Sequence, residues 1–174
     1  MRNLQGSVLP PKVILPYVKQ VAAALQYAHN QKLIHCDIKP ENMLIGPRNE
    51  VLLSDFGIAT VVHQTSVKNT QSIAGTAIYM APEQFRRRIH IASDQYSLGI
   101  VVYEWLCGQP PFTEGDFIQL GFQHNSDPPP SLRGKVPSLS PDIEKVVMIA
   151  LAKNPDQRFA SIQAFANALE QACK

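Results

Sequence analysis

The sequence predicts an α+β protein, mainly helical, that carries one small β-patch. Three patterns predict it. Apolar residues Ile14, Val18, Val21, Leu25 and Ala28 step by four and three, which is one face of an amphipathic helix over about 11–31. Around Leu98, Ile100, Val101, Val102, Trp105 and Leu106 the chain is apolar on nearly every side, the pattern of a buried central helix. Between these helices lie short apolar runs at 33–34, 43–45 and 51–53, too brief for helices, with Gly46-Pro47 as a turn between the last two.

The remaining elements follow in order. Residues 58–78 are rich in Thr, Ser, Gln and Asn without periodicity and read as a long loop, a length that in a compact domain usually serves function. Ser93 is a good N-cap for the buried helix, expected over 95–107. Residues 108–141 hold Pro110-Pro111 and Pro128-Pro129-Pro130 and are read as turns with one short helix near 116–123. Two amphipathic helices close the chain. Ser140 caps the first, with Pro141 at its first position and Ile143, Val146, Val147, Ala150 and Leu151 on one face. The second starts at Ser161 and presents Ile162, Phe165, Ala166, Leu169 and Cys173.

Composition bounds the function. The 174 residues suit one domain, 1–174, and 45% hydrophobic with 17% charged residues argues against global disorder. Sixteen basic against 14 acidic residues leave a net charge of +2, too balanced for nucleic-acid or membrane-surface binding by charge alone. Three cysteines without a C-x-x-C pair exclude a disulfide framework and a cysteine zinc site, and they fit a reducing, cytoplasmic compartment. The N-terminus lacks a leader pattern. The apolar run 98–107 is interrupted by Gly99 and Glu104 and is far short of a membrane span.

Three clusters carry chemistry: His35-Cys36-Asp37-Ile38-Lys39-Pro40-Glu41-Asn42, then Asp55-Phe56-Gly57, then Ala81-Pro82-Glu83. In this order the set resembles the eukaryotic-type (Hanks-type) protein kinase family, in its bacterial serine/threonine branch. The first matches the H-R-D-x-x-x-x-N catalytic loop except at Cys36, the second D-F-G, the third A-P-E. Asp94 with Ser97-Leu98-Gly99, and Arg158 within Asn154-Pro155-Asp156-Gln157-Arg158-Phe159, look like the family's later stations. The resemblance implies a kinase-like large lobe, with catalytic loop 35–42, metal-binding motif 55–57, activation segment 55–83 and late helices 140–173.

It also implies ATP and magnesium as cofactors and a protein Ser/Thr hydroxyl as acceptor. Phosphoryl transfer needs an oriented hydroxyl and cations on the phosphate charge. By resemblance, Asp37 orients the hydroxyl and takes its proton, Lys39 neutralises charge on the γ-phosphate, and Asn42 and Asp55 ligate magnesium, a cation that favours oxygen donors. Leu44 is implied to lie under the adenine ring. Thr76, by its hydroxyl, is implied to bridge Asp37 and Lys39, as in the serine/threonine-specific form of the loop. His35, Glu83, Asp94 and Arg158 are implied to be structural: a packed histidine, a partly buried Glu83–Arg158 ion pair, and a carboxylate that accepts backbone N–H bonds from the catalytic loop. The run Arg86-Arg87-Arg88 reads as a solvated face or as a docking patch for acidic substrates. His63, His90 and His124 show no ligand spacing.

Two departures from the family matter. Cys36 stands where most relatives carry an arginine that pairs with a phosphorylated residue of the long loop, and a thiol cannot make that bidentate contact. Activity is therefore expected not to depend on phosphorylation at Thr65, Ser66, Thr70 or Ser72. Second, the 34 residues before His35 contain one glycine, Gly6, and no Asp or Glu. The family's Gly-rich loop, strand lysine and partnering glutamate have no counterpart there, so the N-terminal lobe is expected to be absent and an apolar face around Leu44, Leu53 and Ile58 uncovered. The leading expectation is a serine/threonine kinase large lobe, weak or inactive alone. A non-catalytic binding module is the alternative, against which the presence of Asp37, Lys39, Asn42 and Asp55 argues. A small-molecule phosphotransferase is disfavoured by Ala81-Pro82-Glu83 and by the peptide-positioning stretch 75–80.

Overall fold

A computed structural model describes residues 4–56 and 75–174. Helix α1 spans Pro11–Asn30, with Pro11 at its first position, where the absent N–H costs nothing. It buries Ile14, Tyr17, Val18, Val21, Ala22, Leu25, Ala28 and His29, and Lys32 turns the chain out of it at φ 61°. No strand forms at 33–34. The Leu33 amide is taken by the Ala28 carbonyl, and the amides of His35 and Cys36 go to a buried carboxylate, so this segment is held to its neighbouring helices and not to a strand.

Strands β1 (Met43–Ile45) and β2 (Val51–Leu53) pair antiparallel, with Met43 opposite Leu53 and Ile45 opposite Val51. The hairpin closes through Gly46 N–H to the Glu50 carbonyl, and Asn49 supplies the left-handed residue at φ 61°. Met43 and Ile45 enter the core while Leu44 faces the other way, half-buried. Leu52, opposite Leu44, shares that side and is 48% exposed, whereas Leu53, opposite Met43, turns to the core face and packs there half-buried, so it does not belong to the uncovered apolar face expected with Leu44. Ile58, the third residue of the expected apolar face, lies outside the described residues, as do Gly57, His63, Thr65, Ser66, Thr70 and Ser72.

Six further α-helices follow among the described residues: α2 (Pro82–Phe85), α3 (Ile91–Cys107), α4 (Phe117–Ser126), α5 (Leu132–Lys135), α6 (Pro141–Ala150) and α7 (Ile162–Ala172). Helix α3 starts earlier than Ser93 alone suggests. His90 accepts the Ala92 amide on its ring while Ser93 Oγ accepts the His90 amide, a reciprocal cap that the usual N-cap preferences do not flag. Its residues from Ser93 to Leu106 are all buried, and Gly108 ends it at φ 87°. Asp116, Ser140 and Ser161 cap α4, α6 and α7 by accepting the amides of Gln119, Asp142 and Ala164. The core sits where α1, α3, α6 and α7 meet. Gly99 permits the close approach of α3 to the end of α6, since a Cβ there would stand 3.1 Å from Leu151 and 3.2 Å from Ala150. The architecture is thus helix-rich around a two-stranded sheet. No helix among the described residues is long and apolar enough to cross a membrane.

His124, to which the sequence assigns nothing, is fully buried on α4 among Phe85, Tyr96 and Phe112, with its Nδ1 2.9 Å from the Tyr96 hydroxyl. Burial, reinforced by the nearby Lys153 charge, pushes its pKa down to about 3. The folded state therefore refuses a proton that the unfolded chain binds near pH 6.5, so this contribution is full above pH 6.5 and is lost as pH falls toward 3. Urea titrations from pH 6.5 to 4 are expected to show stability falling with pH, and His124→Phe is expected to flatten that slope by up to about 1.4 kcal/mol per pH unit.

Candidate active site

The site is assembled where the loop after α1 passes over the N-terminal half of α3. Asp94, fully buried on α3, accepts the His35 amide at 2.9 Å and the Cys36 amide at 2.8 Å, and its Oδ2 lies 2.7 Å from His29 Nε2 on α1. One carboxylate thus joins two helices and the loop. These contacts hold Cys36 at φ 68°, a left-handed conformation that a residue with a Cβ adopts only when its surroundings impose it. The Cys36 thiol is turned to the Ile34 carbonyl at 3.6 Å.

His35 is buried, with Nε2 3.0 Å from the Ser54 carbonyl and Nδ1 accepting the Asp37 amide at 3.3 Å. Only the neutral Nε2–H tautomer satisfies both contacts. Burial lowers the pKa of this ring, against the raising influence of Asp94, in line with a neutral spacer between the loop and the end of β2. Its ring packs 4.4 Å from that of Phe56.

Beyond this anchor the chemistry-bearing side chains converge. Asp37 is half-exposed; its Oδ2 lies 3.0 Å from Lys39 Nζ and accepts from Asn42 Nδ2 at 3.0 Å. Asn42 Nδ2 also donates to the Asp37 carbonyl at 2.9 Å, which fixes the amide and leaves Oδ1 as its acceptor. Lys39 Nζ donates to Thr76 Oγ1 at 3.0 Å. The ammonium, rather than the Thr76 hydroxyl, is therefore the group that touches both partners among the described contacts. The Asn42 carbonyl accepts the Ser54 amide at 3.0 Å, extending the hairpin register by one pair, so Asp55 leaves β2 beside the end of the 35–42 loop. Asp55 is exposed, at φ 61°, and accepts from Ser54 Oγ. Leu44 stands on the hairpin face turned away from the core.

The end of the 75–83 stretch is tied down at three points. Tyr79 donates to Glu104 Oε2 at 2.7 Å, and Glu104 also accepts the Gly6 amide at 2.7 Å. Gln84 accepts the Ala81 amide and donates to the Cys36 carbonyl, both at 2.9 Å. Glu83 pairs with Arg158 through two contacts of 2.8 and 2.9 Å and accepts from Ser93 Oγ at 2.7 Å. Burial pushes the Glu83 carboxyl up, but Arg158 and Ser93 outweigh it and hold its pKa below the usual carboxylate value. Arg158 spends its remaining donors on the carbonyls of Ala92, Ala152 and Lys153.

Two anchoring residues escape the motif reading, His29 and Gln84. His29 left a trace, being polar on the apolar stripe of α1, where burial demands a partner.

The protein kinase domain family matches this chain over residues 2–170. Serine/threonine-protein kinase PknB of Mycobacterium leprae is 42% identical over 155 residues, covering 87% of this chain and 25% of that protein. Serine/threonine-protein kinase PknA of Mycobacterium tuberculosis is 41% identical over 156 residues, covering 89% of this chain and 36% of that protein. The crystal structure of the Mycobacterium tuberculosis PknI kinase domain superposes with a TM-score of 0.72 at 30% identity, over 97% of this chain and 57% of that one. The chain spans about a quarter to a third of the length of these curated relatives.

Proposed function

Because the chain belongs to the protein kinase domain family, we propose that residues 1–174 form the large-lobe portion of a serine/threonine protein kinase catalytic domain, one that moves the γ-phosphoryl group of ATP to a protein Ser or Thr hydroxyl. In this reading the catalytic loop is 35–42, the metal-binding motif 55–57, the activation segment 55–83 and the late helices 140–173. The observation that carries it is the Lys39 ammonium held 3.0 Å from both Asp37 and Thr76. A carboxylate and an ammonium in contact at a half-exposed edge can take a proton from an incoming hydroxyl and meet the phosphate charge at one place.

Asp37 orients the acceptor hydroxyl and receives its proton, with Asn42 Nδ2 and Lys39 fixing the carboxylate. Thr76 steadies Lys39. Asn42 Oδ1 and the Asp55 carboxylate are hard oxygen donors at the neighbouring ends of one hairpin, a set that fits Mg2+. When bound, the cation supplies neutralisation of phosphate charge. Asn42 and Asp55 would hold the cation together with nucleotide oxygens and water. Leu44 offers an apolar floor to the adenine ring.

Cys36 brings no cation to the loop, and Gln84 supplies an uncharged tether between the A-P-E segment and the catalytic loop, which supports activity without loop phosphorylation. Three cysteines without a C-x-x-C pair suit the cytoplasm, and the near-balanced charge suits protein acceptors and no nucleic acid. Since residues 1–34 carry no Gly-rich loop or acidic partner for a strand lysine, these residues alone hold nucleotide weakly. Calorimetric titration with ATP tests this. Weak binding that requires Mg2+ and is abolished in Asp55→Asn is expected, whereas binding unchanged by removing Mg2+ or by the substitution would overturn the metal assignment.

A further inference from the structure

The basic run Arg86-Arg87-Arg88 takes no part in the chemistry above, yet its first member faces a defined cavity. A pocket of about 290 Å3 opens between the start of α2, the end of α4 and the turn after α6, and its lining includes Arg86, Asn125, Lys153 and Asn154 between Pro82 and Pro155. Arg86, exposed at the end of α2, makes no side-chain hydrogen bond or ion pair among the described residues. Lys153 is half-buried, donates to the Gln123 carbonyl at 3.2 Å and lies 4.7 Å over the Phe112 ring, with no carboxylate of the described residues in salt-bridge contact. Burial pushes its pKa down to about 8, Asp127 pulling it up and Arg158 pushing it further down. The carboxylate on the wall, Glu83, is already engaged by Arg158 through both oxygens, so it does not neutralise the other two cations. Asn154 turns Oδ1 to the Asp156 amide, which leaves its Nδ2 as a free donor, while Asn125 is committed to the Gly121 carbonyl.

Two cations from separate elements, one of them partly desolvated, and an unspent amide donor, all on residues that line one cavity, make a site for a compact, doubly charged anion. We propose that this pocket binds a phosphate-class oxyanion, either free phosphate or the phosphate of a phosphorylated side chain, at a place separate from the Asp37 centre. The assignment does not depend on phosphoryl transfer by this chain.

The test is a chemical-shift titration of the full chain at constant ionic strength with inorganic phosphate, with a phosphoserine peptide and with the same peptide unphosphorylated. Saturable shifts at the Lys153 and Asn154 amides are expected, weakened about fivefold in Arg86→Gln and less than about twofold in Arg88→Gln, which removes the same charge outside the pocket. Arg86 is the informative position because its side chain holds nothing in the fold. Tighter binding of the phosphopeptide than of phosphate identifies a phosphorylated side chain as the source, and equal binding identifies the free ion. Shifts that do not saturate, that fall elsewhere, or that weaken equally in the two arginine variants would overturn the proposal.

Discussion

Arg158→Met is expected to destabilise the protein by about 3–5 kcal/mol in urea unfolding, because it strands the Glu83 carboxylate at the end of the 75–83 stretch. The Arg158 side chain is 0% and that of Glu83 10% exposed, so water cannot replace the lost contacts. The carbonyls of Ala92, Ala152 and Lys153 lose their donor in the same step. The double variant Glu83→Leu/Arg158→Met is expected to recover part of the loss, since it removes the stranded charge but not the stranded carbonyls. The effect has a pH signature. The folded protein holds the Glu83 carboxyl below its ordinary pKa of 4.5, so the pair's contribution is complete above pH 4.5 and declines as pH falls through the depressed value. The gap between wild type and Arg158→Met is therefore expected to narrow in acid. A gap that widens there would contradict the assignment.

Asp94→Ala is expected to cost at least about 3 kcal/mol, because three buried groups, the His29 ring and the His35 and Cys36 amides, share that carboxylate. Its local consequence is the sharper one. Cys36 keeps its left-handed conformation only while its own amide and that of His35 are held, so the loop bearing Asp37, Lys39 and Asn42 loses its fixed starting point. Native-state hydrogen exchange is expected to show the His35 and Cys36 amides losing roughly 100-fold in protection, beyond any change at the centre of α3. Equal losses in both places would indicate general destabilisation instead.

Much of this fold can be read from local chemistry. Helices α4, α6 and α7 announce themselves because Asp116, Ser140 and Ser161 precede apolar periodicity, and β1 and β2 because a Gly-Pro turn separates two short apolar runs. The reading fails where tertiary contacts decide. Helix α5 has four residues and no period; Leu132, fully buried, anchors it. The run at 33–34 looks like a strand until the demands of Asp94 on the next two amides are known. The site divides the same way. Contiguous motifs place Asp37, Lys39, Asn42 and Asp55 on sight, whereas His29 and Gln84 acquire meaning only from partners 65 and 48 residues away.

The central claim is that Asp37 and its neighbours form the transfer centre of a serine/threonine kinase large lobe. It is tested most directly by single-turnover transfer of labelled γ-phosphate from millimolar ATP–Mg2+ to a protein acceptor, comparing the 174-residue chain with Asp37→Asn. The expected result is slow labelling of serine and threonine only, far below the roughly 1–100 per second of complete kinases, and at least about 100-fold slower again in the variant. Labelling that persists undiminished in Asp37→Asn would contradict the claim.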